Sequence, residues 1–367
     1  MDGKQLETYL EHGVERVLKG IWRASAPNPK SRSYLLRYAG ASRRAAARRA
    51  RAERRGEHVP PFLIASITDR CNLCCMGCYA RANHTCGDLD GVGEGLLTGE
   101  QWGDIFRQAA ELGVGFILLA GGEPFLREDV LRAAAERPDI LFPVFTNGTM
   151  LNGERLALLA AAPNLIPILS LEGDKAATDA RRGAGVYDAL ETSMAALKAG
   201  AVLFGASVTV TRENAEEVLS DAFVDGLWAS GGRAVVYVEY VPVDGTSQSL
   251  APDDGTRAYL QARLDELRSR AEGPLLVAFP GDELHSGGCL AAGRGFFHIN
   301  ARGGAEPCPF SPYSDTSVIH TSLGEALRSP LFQKLRAEGH LEKGHAGGCV
   351  LFAQADRVRE LAEEGRA

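Results

Sequence analysis

Short apolar runs alternate regularly with amphipathic segments between residues 62 and 272. The runs are rich in Val, Ile, Leu and Phe and show little polar alternation, which is typical of strands covered on both faces. Six strands are predicted: Phe62–Thr68, Phe116–Ala120, Leu141–Thr146, Leu165–Leu171, Val202–Thr211 and Ala234–Val241. Helices are predicted at 99–112, 126–137, 152–162, 186–199, 213–229 and 253–272. Six β–α units in series predict a parallel sheet, either open and doubly wound or closed into a full or partial barrel, with the ligand at the carboxyl ends of the strands.

Residues 1–60, before this pattern, are predicted to be helical. Residues 5–22 place apolar side chains on one helical stripe and charged side chains opposite. We expect this helix to dock on the body of the protein rather than on a membrane surface. A second helix, rich in Ala and Arg, is predicted over 33–56, and Pro60 and Pro61 end the region.

After Gly273 the strand–helix rhythm stops. Glycine pairs and prolines interrupt the chain, a short hairpin is predicted over Phe296–Asn300 with a turn at 301–304, and a helical tail begins near residue 353. The chain is therefore predicted to consist of three domains, which are 1–60, 61–273 and 274–367.

The composition excludes whole classes of protein. Of the 367 residues 45% are hydrophobic, which excludes global disorder. The longest apolar runs are far shorter than the roughly 18 residues that a membrane helix needs. The N-terminal sequence MDGKQLETYLEHG carries acids and lacks the apolar stretch of a signal peptide, so a cytoplasmic protein is expected.

The charge of the chain is unevenly distributed. Residues 30–58 carry ten bases and two acids, a net charge of +8, so the remainder of this −7 chain carries −15. Such a segment could bind RNA, anionic lipid or an acidic peptide, or its arginines could face the acidic body as a clamp. No aromatic interleaving suggests base stacking and no RNA-binding motif is present, so nucleic acid is not expected as a partner.

Five of the eight cysteines fall within sixteen residues, directly after the first predicted strand. In a reducing compartment such crowding argues for a metal or redox site rather than for disulfides or buried structural thiols. Cys71, Cys75 and Cys78 have the spacing C-x3-C-x2-C in the segment ITDRCNLCCMGCY. Zinc normally takes a fourth protein ligand, whereas a [4Fe–4S] cluster can bind three thiolates and leave one iron open.

This loop resembles that of the radical SAM enzymes, which carry C-x3-C-x2-C after the first strand of a partial six-stranded (β/α) barrel. The resemblance implies that Cys71, Cys75 and Cys78 hold three irons of a [4Fe–4S] cluster. The fourth iron would chelate the amino and carboxylate groups of S-adenosylmethionine (SAM). The aromatic residue often found before the third cysteine of the family is replaced here by Gly77.

Other strand ends follow the same family pattern. Gly121-Gly122-Glu123-Pro124 matches the family's GGEP, whose backbone and acid bind the SAM amino group. Paired glycines allow close approach to a ligand, and a carboxylate neutralises an ammonium. The resemblance, which spans residues 61–250, also assigns cofactor binding to Tyr79, Asn147, Ser170, Glu172, Arg182 and Thr209. The implied fold is α/β, with an N-terminal helical extension, a partial (β/α)6 radical SAM barrel and a small C-terminal iron–sulfur domain.

The last three cysteines are Cys289, Cys308 and Cys349. The segment GGCLAAGRGFFHINARGGAEPCP resembles the start of the family's SPASM or twitch extension, which holds one or two further iron–sulfur clusters. Three thiolates imply one auxiliary cluster, expected to be [4Fe–4S], whose fourth site is an open iron or a non-cysteine residue. His285 and His345 are the nearest candidates for that ligand. The remaining two cysteines, Cys74 and Cys86, are treated as non-ligands.

The activity that the resemblance implies is reductive cleavage of SAM to methionine and a 5′-deoxyadenosyl radical, which abstracts a hydrogen atom from the substrate. Family precedent favours a peptide or protein substrate, with a small molecule of cofactor, sugar or lipid biosynthesis as the alternative. A flavodoxin or ferredoxin would supply the electron. A non-catalytic zinc or iron–sulfur electron-transfer module would account for the cysteines, but not for GGEP and the polar strand ends.

Two polar residues on the sixth predicted strand are candidates for substrate contact. Tyr237 and Glu239 lie two residues apart and therefore share a face, which could be the barrel lumen. A carboxylate in an otherwise apolar strand needs a partner. Glu239 is accordingly either a base or substrate contact, or a satisfied structural carboxylate.

Overall fold

The computed structural model describes residues 10–366 except 13, 16–18, 21, 23–28, 90–94, 244, 246 and 342–348. Ten strands of the described residues form one sheet: β1 (Phe62–Thr68), β2 (Phe116–Gly121), β3 (Phe142–Thr146), β4 (Leu165–Ser170), β5 (Gly205–Val210), β6 (Ala234–Glu239), β7 (Leu275–Phe279), β8 (Phe296–Ile299), β9 (Gly304–Glu306) and β10 (Thr316–Ser317). Their order is β10-β9-β8-β1-β2-β3-β4-β5-β6-β7. The prediction of six consecutive strands in an α/β fold is therefore confirmed.

Two strands beyond residue 273 extend the parallel sheet. β7 pairs with β6 and β8 pairs with β1, both parallel, so eight neighbouring strands run in one direction. The hairpin of β8 and β9 is antiparallel, as predicted. The sequence did not indicate that this hairpin would join the main sheet. The sheet is thus continuous across residue 273, and the division into three domains stays a prediction.

The parallel strands curve into a barrel. In a flat sheet, seven intervals of about 4.8 Å would place β7 and β8 about 34 Å apart. Instead, the ring centroids of Phe279 on β7 and Phe296 on β8 are 5.5 Å apart. The two ends of the parallel set therefore meet, and the sheet has an inner face and an outer face covered by helices.

Thirteen helices are described apart from the segment before residue 23. They are α1 (Pro29–Glu53), α2 (Tyr79–Ala82), α3 (Gly99–Leu112), α4 (Glu128–Ala135), α5 (Gly153–Ala161), α6 (Lys175–Arg182), α7 (Val186–Ala199), α8 (Ala215–Val218), α9 (Asp221–Ser230), α10 (Asp254–Arg268), α11 (Leu323–Ala326), α12 (Pro330–Ala337) and α13 (Ala355–Arg366). The helices predicted at 99–112 and 186–199 have the predicted bounds. The one predicted at 213–229 is two helices, because Ser220 caps the second by accepting a hydrogen bond from Phe223 N.

Helix α1 closes the amino-terminal end of the barrel. Tyr34, Leu35 and Tyr38 are buried against residues at the starts of the strands, among them Phe116 and Ile166. The Tyr38 hydroxyl donates to the Gly115 carbonyl at 2.7 Å. In the preceding segment the described residues are helical, and Leu10 and Val14 are buried. Docking of the N-terminal segment on the body is thus confirmed for the residues that the structure describes.

The basic segment is held by carbonyl groups as well as by packing. Arg48 Nη1 donates to the Ala110 carbonyl and Arg49 Nη1 donates to the Gly113 carbonyl at 2.7 Å. These carbonyls lie at the carboxyl end of α3, where the helix dipole is negative. The arginine clamp therefore acts on a helix end, whereas Arg43 and Arg44 are exposed.

Within the described part of the chain, no helix has both the length and the apolar character needed to cross a bilayer.

We predict that Tyr38→Phe lowers the free energy of unfolding by about 1 kcal/mol, because it removes a buried hydrogen bond to the Gly115 carbonyl and leaves that carbonyl with only the bond from Leu141 N. Urea titration followed by circular dichroism measures this change. Tyr259→Phe, which removes the hydroxyl of a tyrosine that is 38% exposed, is the matched control and should leave the midpoint unchanged. Equal midpoints for both variants would contradict the assigned role of the Tyr38 hydroxyl.

Candidate functional site

The first cysteine loop leaves the carboxyl end of β1 and turns back on itself. Cys71 N donates to the Gly87 carbonyl at 3.1 Å, and Cys78 N donates to the Cys75 carbonyl at 3.3 Å. The turn from Cys75 to Cys78 contains Gly77 at φ +65°, in the left-handed region that favours glycine. Cys71, Cys75 and Cys78 are free and partly buried, whereas Cys74 is exposed. The loop therefore presents three protected thiols at the end of the barrel where ligands bind.

The three predicted thiols lie in one electrostatic neighbourhood. Burial raises the pKa of Cys71 to about 11, and the charges of Cys75 and Cys78 contribute to that shift. Burial also raises the pKa of Cys75, while the guanidinium groups of Arg182 and Arg181 oppose the shift. The thiols of Cys71 and Cys75 are therefore protonated at neutral pH unless a cation is bound. Three thiols on one loop are the donor set of an iron–sulfur cluster, and the cluster itself stays a prediction.

The GGEP turn supports this loop through its backbone. Gly122 N donates to the Thr68 carbonyl at 2.9 Å, and Glu123 N donates to the Arg70 carbonyl at 2.8 Å. A Cβ on Gly121 would lie 2.3 Å from the Thr68 oxygen, and one on Gly122 would lie 1.9 Å from the Arg70 oxygen. Both glycines are therefore required for the approach of β2 to the chain that leads into Cys71.

The Glu123 carboxylate joins the ends of β2 and β3. It is 1% exposed and accepts hydrogen bonds from Thr146 Oγ1 at 2.7 Å, Asn147 N at 2.8 Å and Phe125 N at 3.1 Å. Burial raises the pKa of this carboxyl, and these hydrogen bonds partly offset the shift. The structure thus gives both carboxylate oxygens to protein donors, so the side chain positions its neighbours. A contact with the SAM amino group stays a prediction.

Asn147 connects the end of β3 to the cysteine loop. Its Nδ2 donates to Asn72 Oδ1 at 2.9 Å and lies 3.9 Å from Cys71 Sγ. Asn72 Nδ2 in turn donates to Thr149 Oγ1 at 2.9 Å. Sequence reasoning did not single out Asn72. Its position between two cofactor candidates is visible only once the strands are assembled.

A buried ion cluster lies beside Cys75. The Glu172 carboxylate is paired with both Arg181 and Arg182, and its side chain is 2% exposed. Arg181 Nη1 also donates to Thr209 Oγ1 at 2.8 Å. The structure thereby brings together three predicted residues, Glu172, Arg182 and Thr209. Arg181 was missed, although it directly precedes Arg182 in the sequence, because neither charge nor helical pattern tells which arginine points inwards.

The remaining predicted cofactor-binding residues are Ser170 and Tyr79. Ser170 lies at the end of β4, with its Oγ 3.3 Å from Ser207 Oγ on β5. The ring of Tyr79 packs on Phe310, with centroids 4.8 Å apart. The ring of Tyr79 therefore connects the first cysteine loop to the segment that carries Cys308.

The last three cysteines also share a neighbourhood. Cys289 and Cys308 are buried, and Cys349 is partly buried. Burial raises the pKa of all three thiols, and the charges of Cys349 and Cys289 add to the shift at Cys308. Three thiols are the donor set of an iron–sulfur cluster, and an auxiliary cluster at these cysteines stays a prediction. His345 and the side chain of His285 lie outside the described residues.

Tyr237 and Glu239 do face the same way, but away from the lumen. The Tyr237 hydroxyl donates to the Val218 carbonyl at 2.9 Å, in a helix on the outer face. Glu239 accepts two hydrogen bonds from Arg257 of α10, at 2.6 and 2.8 Å. The lumen assignment was wrong because alternation along a strand identifies shared faces but not which face is inside. Glu239 is a satisfied structural carboxylate.

Comparisons with known proteins identify the family of this chain. Residues 65–222 match the family described as the Radical SAM superfamily. A mycofactocin maturase of Mycobacterium ulcerans is 30% identical over 337 residues, covering 83% of this chain and 83% of that protein. A pre-heme d1 synthase of Dinoroseobacter shibae is 27% identical over 347 residues, also covering 83% of each chain.

A solved structure shows the same fold. SuiB of Streptococcus suis, bound to its precursor peptide SuiA, matches with a TM-score of 0.64 and 18% identity over 80% of this chain and 70% of that chain. The mycofactocin maturase is 30% identical over 83% of this chain, and residues 65–222 match the family model. This chain therefore belongs to the radical SAM superfamily.

Proposed function

We propose that this enzyme cleaves SAM reductively at a [4Fe–4S] cluster held by Cys71, Cys75 and Cys78, and that it modifies a peptide or protein. SAM cleavage is supported by the backbone hydrogen bonds that join the GGEP turn after β2 to the chain leading from β1 into the cysteine loop. When bound, the cluster and SAM supply a 5′-deoxyadenosyl radical that abstracts a hydrogen atom from the substrate.

The protein's own contribution is to fix and charge-balance the thiolates. Arg181 and Arg182 place positive charge near Cys75, and the Asn147 amide points towards Cys71. Positive charge and hydrogen bonds to cluster sulfurs favour the reduced form. Because Glu172 binds both arginines, their guanidinium groups are held in place before any ligand arrives.

The polar groups at the ends of β4 and β5 are proposed to contact SAM. Ser170 and Thr209 lie on adjacent strands, and each side chain is half-buried. Ser207, which is 3.3 Å from Ser170, completes this polar strip. Hydroxyl groups in this position can bind the ribose or carboxylate of a nucleoside-linked amino acid, since they both donate and accept hydrogen bonds.

Peptide modification is supported by the relatives. The mycofactocin maturase shares 30% identity with this chain over 83% of both sequences. The similarity to a pre-heme d1 synthase, at 27% identity over the same share, supports a small-molecule substrate as the second candidate. A reduced flavodoxin or ferredoxin is the proposed electron donor in either case.

The cysteines of the C-terminal region are proposed to hold one auxiliary iron–sulfur cluster. Two of its thiols flank the β8–β9 hairpin, and the third follows α12. This hairpin pairs with β1, the strand that leads into the first cysteine loop. The proposed auxiliary cluster therefore belongs to the same rigid sheet as the radical site.

We predict that Cys75→Ala abolishes formation of 5′-deoxyadenosine, because the cluster loses one of its three protein ligands. The protein is reconstituted anaerobically with iron and sulfide, reduced with dithionite, and assayed with SAM by mass spectrometry. Cys74→Ala is the matched control, since its exposed thiol has no assigned role, and should retain the wild-type rate. A wild-type protein that is colourless, or that forms no 5′-deoxyadenosine, would refute the proposed function.

Replacing Cys289, Cys308 and Cys349 together by alanine should lower bound iron from about eight to about four per chain, the content of one [4Fe–4S] cluster. SAM cleavage without substrate should persist, because the first cysteine loop is unchanged. Iron analysis and 5′-deoxyadenosine formation are measured on the same sample. Unchanged iron would show that these thiols bind no cluster.

A peptide substrate should reveal itself by accelerating SAM cleavage. An extract of the source cells is expected to raise the rate of 5′-deoxyadenosine formation above the rate without substrate. Digestion of the extract with a protease, followed by removal of the protease, should abolish this stimulation. Stimulation that survives digestion would instead support the small-molecule alternative.

A further inference from the structure

A serine, a histidine and a glutamate are hydrogen-bonded in series across three strands. Ser66 lies on β1, His298 on β8 and Glu306 on β9. His298 Nε2 is 2.7 Å from Ser66 Oγ, and His298 Nδ1 is 2.8 Å from Glu306 Oε2. His298 and Glu306 are each 3% exposed, whereas Ser66 is half-buried. The serine is therefore the member of this series that a ligand can contact.

The hydrogen bonds around the glutamate fix where the protons of this series lie. Asn300 Oδ1 accepts from two backbone N–H groups of the turn between β8 and β9, so its Nδ2 donates to Glu306 Oε1, at 2.6 Å. The carboxylate thus accepts at both oxygens, and His298 Nδ1 carries the proton that it donates. In the neutral imidazole Nε2 is then the acceptor, and the Ser66 hydroxyl donates to it.

Ser66 faces the lumen of the barrel. The pairing of neighbouring strands places Ala65 of β1 on the same face as Tyr237 of β6, which is the outer face. Ser66 is the next residue and therefore lies on the opposite face. Five residues separate it from Cys71, so the two Cα atoms are at most about 18 Å apart. A substrate in the mouth of the lumen can therefore contact Ser66 close to the proposed radical site.

This order of groups makes Ser66 a proton acceptor. Its own proton is donated to His298, so the lone pairs of Oγ remain for a hydrogen-bond donor in the lumen. When that donor gives up its proton, Ser66 passes its own proton to His298 Nε2. The imidazolium that forms lies against the Glu306 carboxylate, which holds the ring in one tautomer and stabilises its charge.

We propose that Ser66 is a catalytic residue that takes a proton from a hydroxyl, thiol or ammonium group of the substrate; this rests on the SAM cleavage proposed above. The bond between this hydrogen and the substrate heteroatom breaks, and its electron pair stays on the heteroatom. That proton moves to Ser66 Oγ, and the proton of Ser66 moves to His298 Nε2. Glu306 is the positioning residue of the histidine. No oxidant or reductant is consumed in this step.

The first test measures whether His298 activates Ser66. The full-length enzyme, reconstituted anaerobically, is treated with methanesulfonyl fluoride, and the labelled residues are mapped by mass spectrometry. The bond from Ser66 Oγ to sulfur forms, fluoride leaves and the hydroxyl proton goes to His298. Ser66 should label about 100-fold faster than Ser170, a half-buried lumen serine whose side-chain partner is Ser207, since a positioned base contributes a factor of that order. His298→Gln should remove the difference.

His58→Gln is the matched control. His58 also pairs with a carboxylate, that of Glu53 at 2.9 Å, but its other nitrogen lies 2.7 Å from the Arg294 carbonyl oxygen rather than from a hydroxyl. This variant should therefore leave the labelling unchanged. Circular dichroism shows whether each variant is folded, and where His298→Gln is misfolded the comparison of the two serines in the wild-type enzyme decides.

The second test measures the reaction in the presence of the cell extract described above. Ser66→Ala should lose the acceleration of SAM cleavage by the extract, because a substrate that keeps its proton does not complete the reaction. Ser66→Thr, which retains a hydroxyl at the same position, should keep it. Full acceleration in Ser66→Ala overturns the assignment.

The outcomes separate this proposal from the one on which it rests. Wild-type enzyme that forms no 5′-deoxyadenosine overturns SAM cleavage, on which the labelling of Ser66 does not depend. Equal labelling of Ser66 and Ser170, or undiminished labelling of Ser66 in a folded His298→Gln variant, overturns the role of Ser66 alone.

Discussion

The close approach of the end of β1 to the turn after β2 is the constraint on which the first cysteine loop depends. Two backbone hydrogen bonds, from Gly122 N to Thr68 and from Glu123 N to Arg70, fix the chain just before Cys71. A Cβ at Gly122 would stand 1.9 Å from the Arg70 oxygen, so a side chain there would separate the two segments. The glycine pair is thus explained by backbone packing before any ligand is considered.

The Glu123 carboxylate links that contact to the next strand. Glu123 binds the backbone and hydroxyl donors at the end of β3, and Asn147 carries the connection back to Asn72 and Cys71. On the far side of the loop, Met76 N donates to the Arg181 carbonyl at 2.8 Å, which attaches the loop to the Glu172 ion cluster. The thiols are therefore held by strands β1 to β4 rather than by the loop alone. Such support by rigid elements is what a site needs to bind a cofactor in one geometry.

The sequence predicts the barrel well because each strand is a local signal. A buried parallel strand is a continuous apolar run, and all six predicted runs occupy the sheet in chain order. The run Leu275–Phe279 has the same apolar character, but the glycines and prolines around it led to the prediction of a separate domain. Its place beside β6 is a long-range pairing, which no local pattern reports.

Site residues divide along the same line. The cysteines and GGEP have fixed spacings and are found from sequence, whereas Arg181 and Asn72 have roles that arise from which way a side chain points. Asn72 carries no spacing signal, since its partners Asn147 and Thr149 lie in a distant part of the chain. The inward or outward face of Tyr237 was likewise undecided until the sheet was closed.

An aromatic contact joins the two segments that carry the thiol sites. Tyr79 directly follows Cys78, Phe310 lies two residues after Cys308, and their ring centroids are 4.8 Å apart. Charges in such buried surroundings interact strongly, so reducing one cluster would make reduction of the other harder. An auxiliary cluster would then influence the radical site through its charge, across the contact between these two rings.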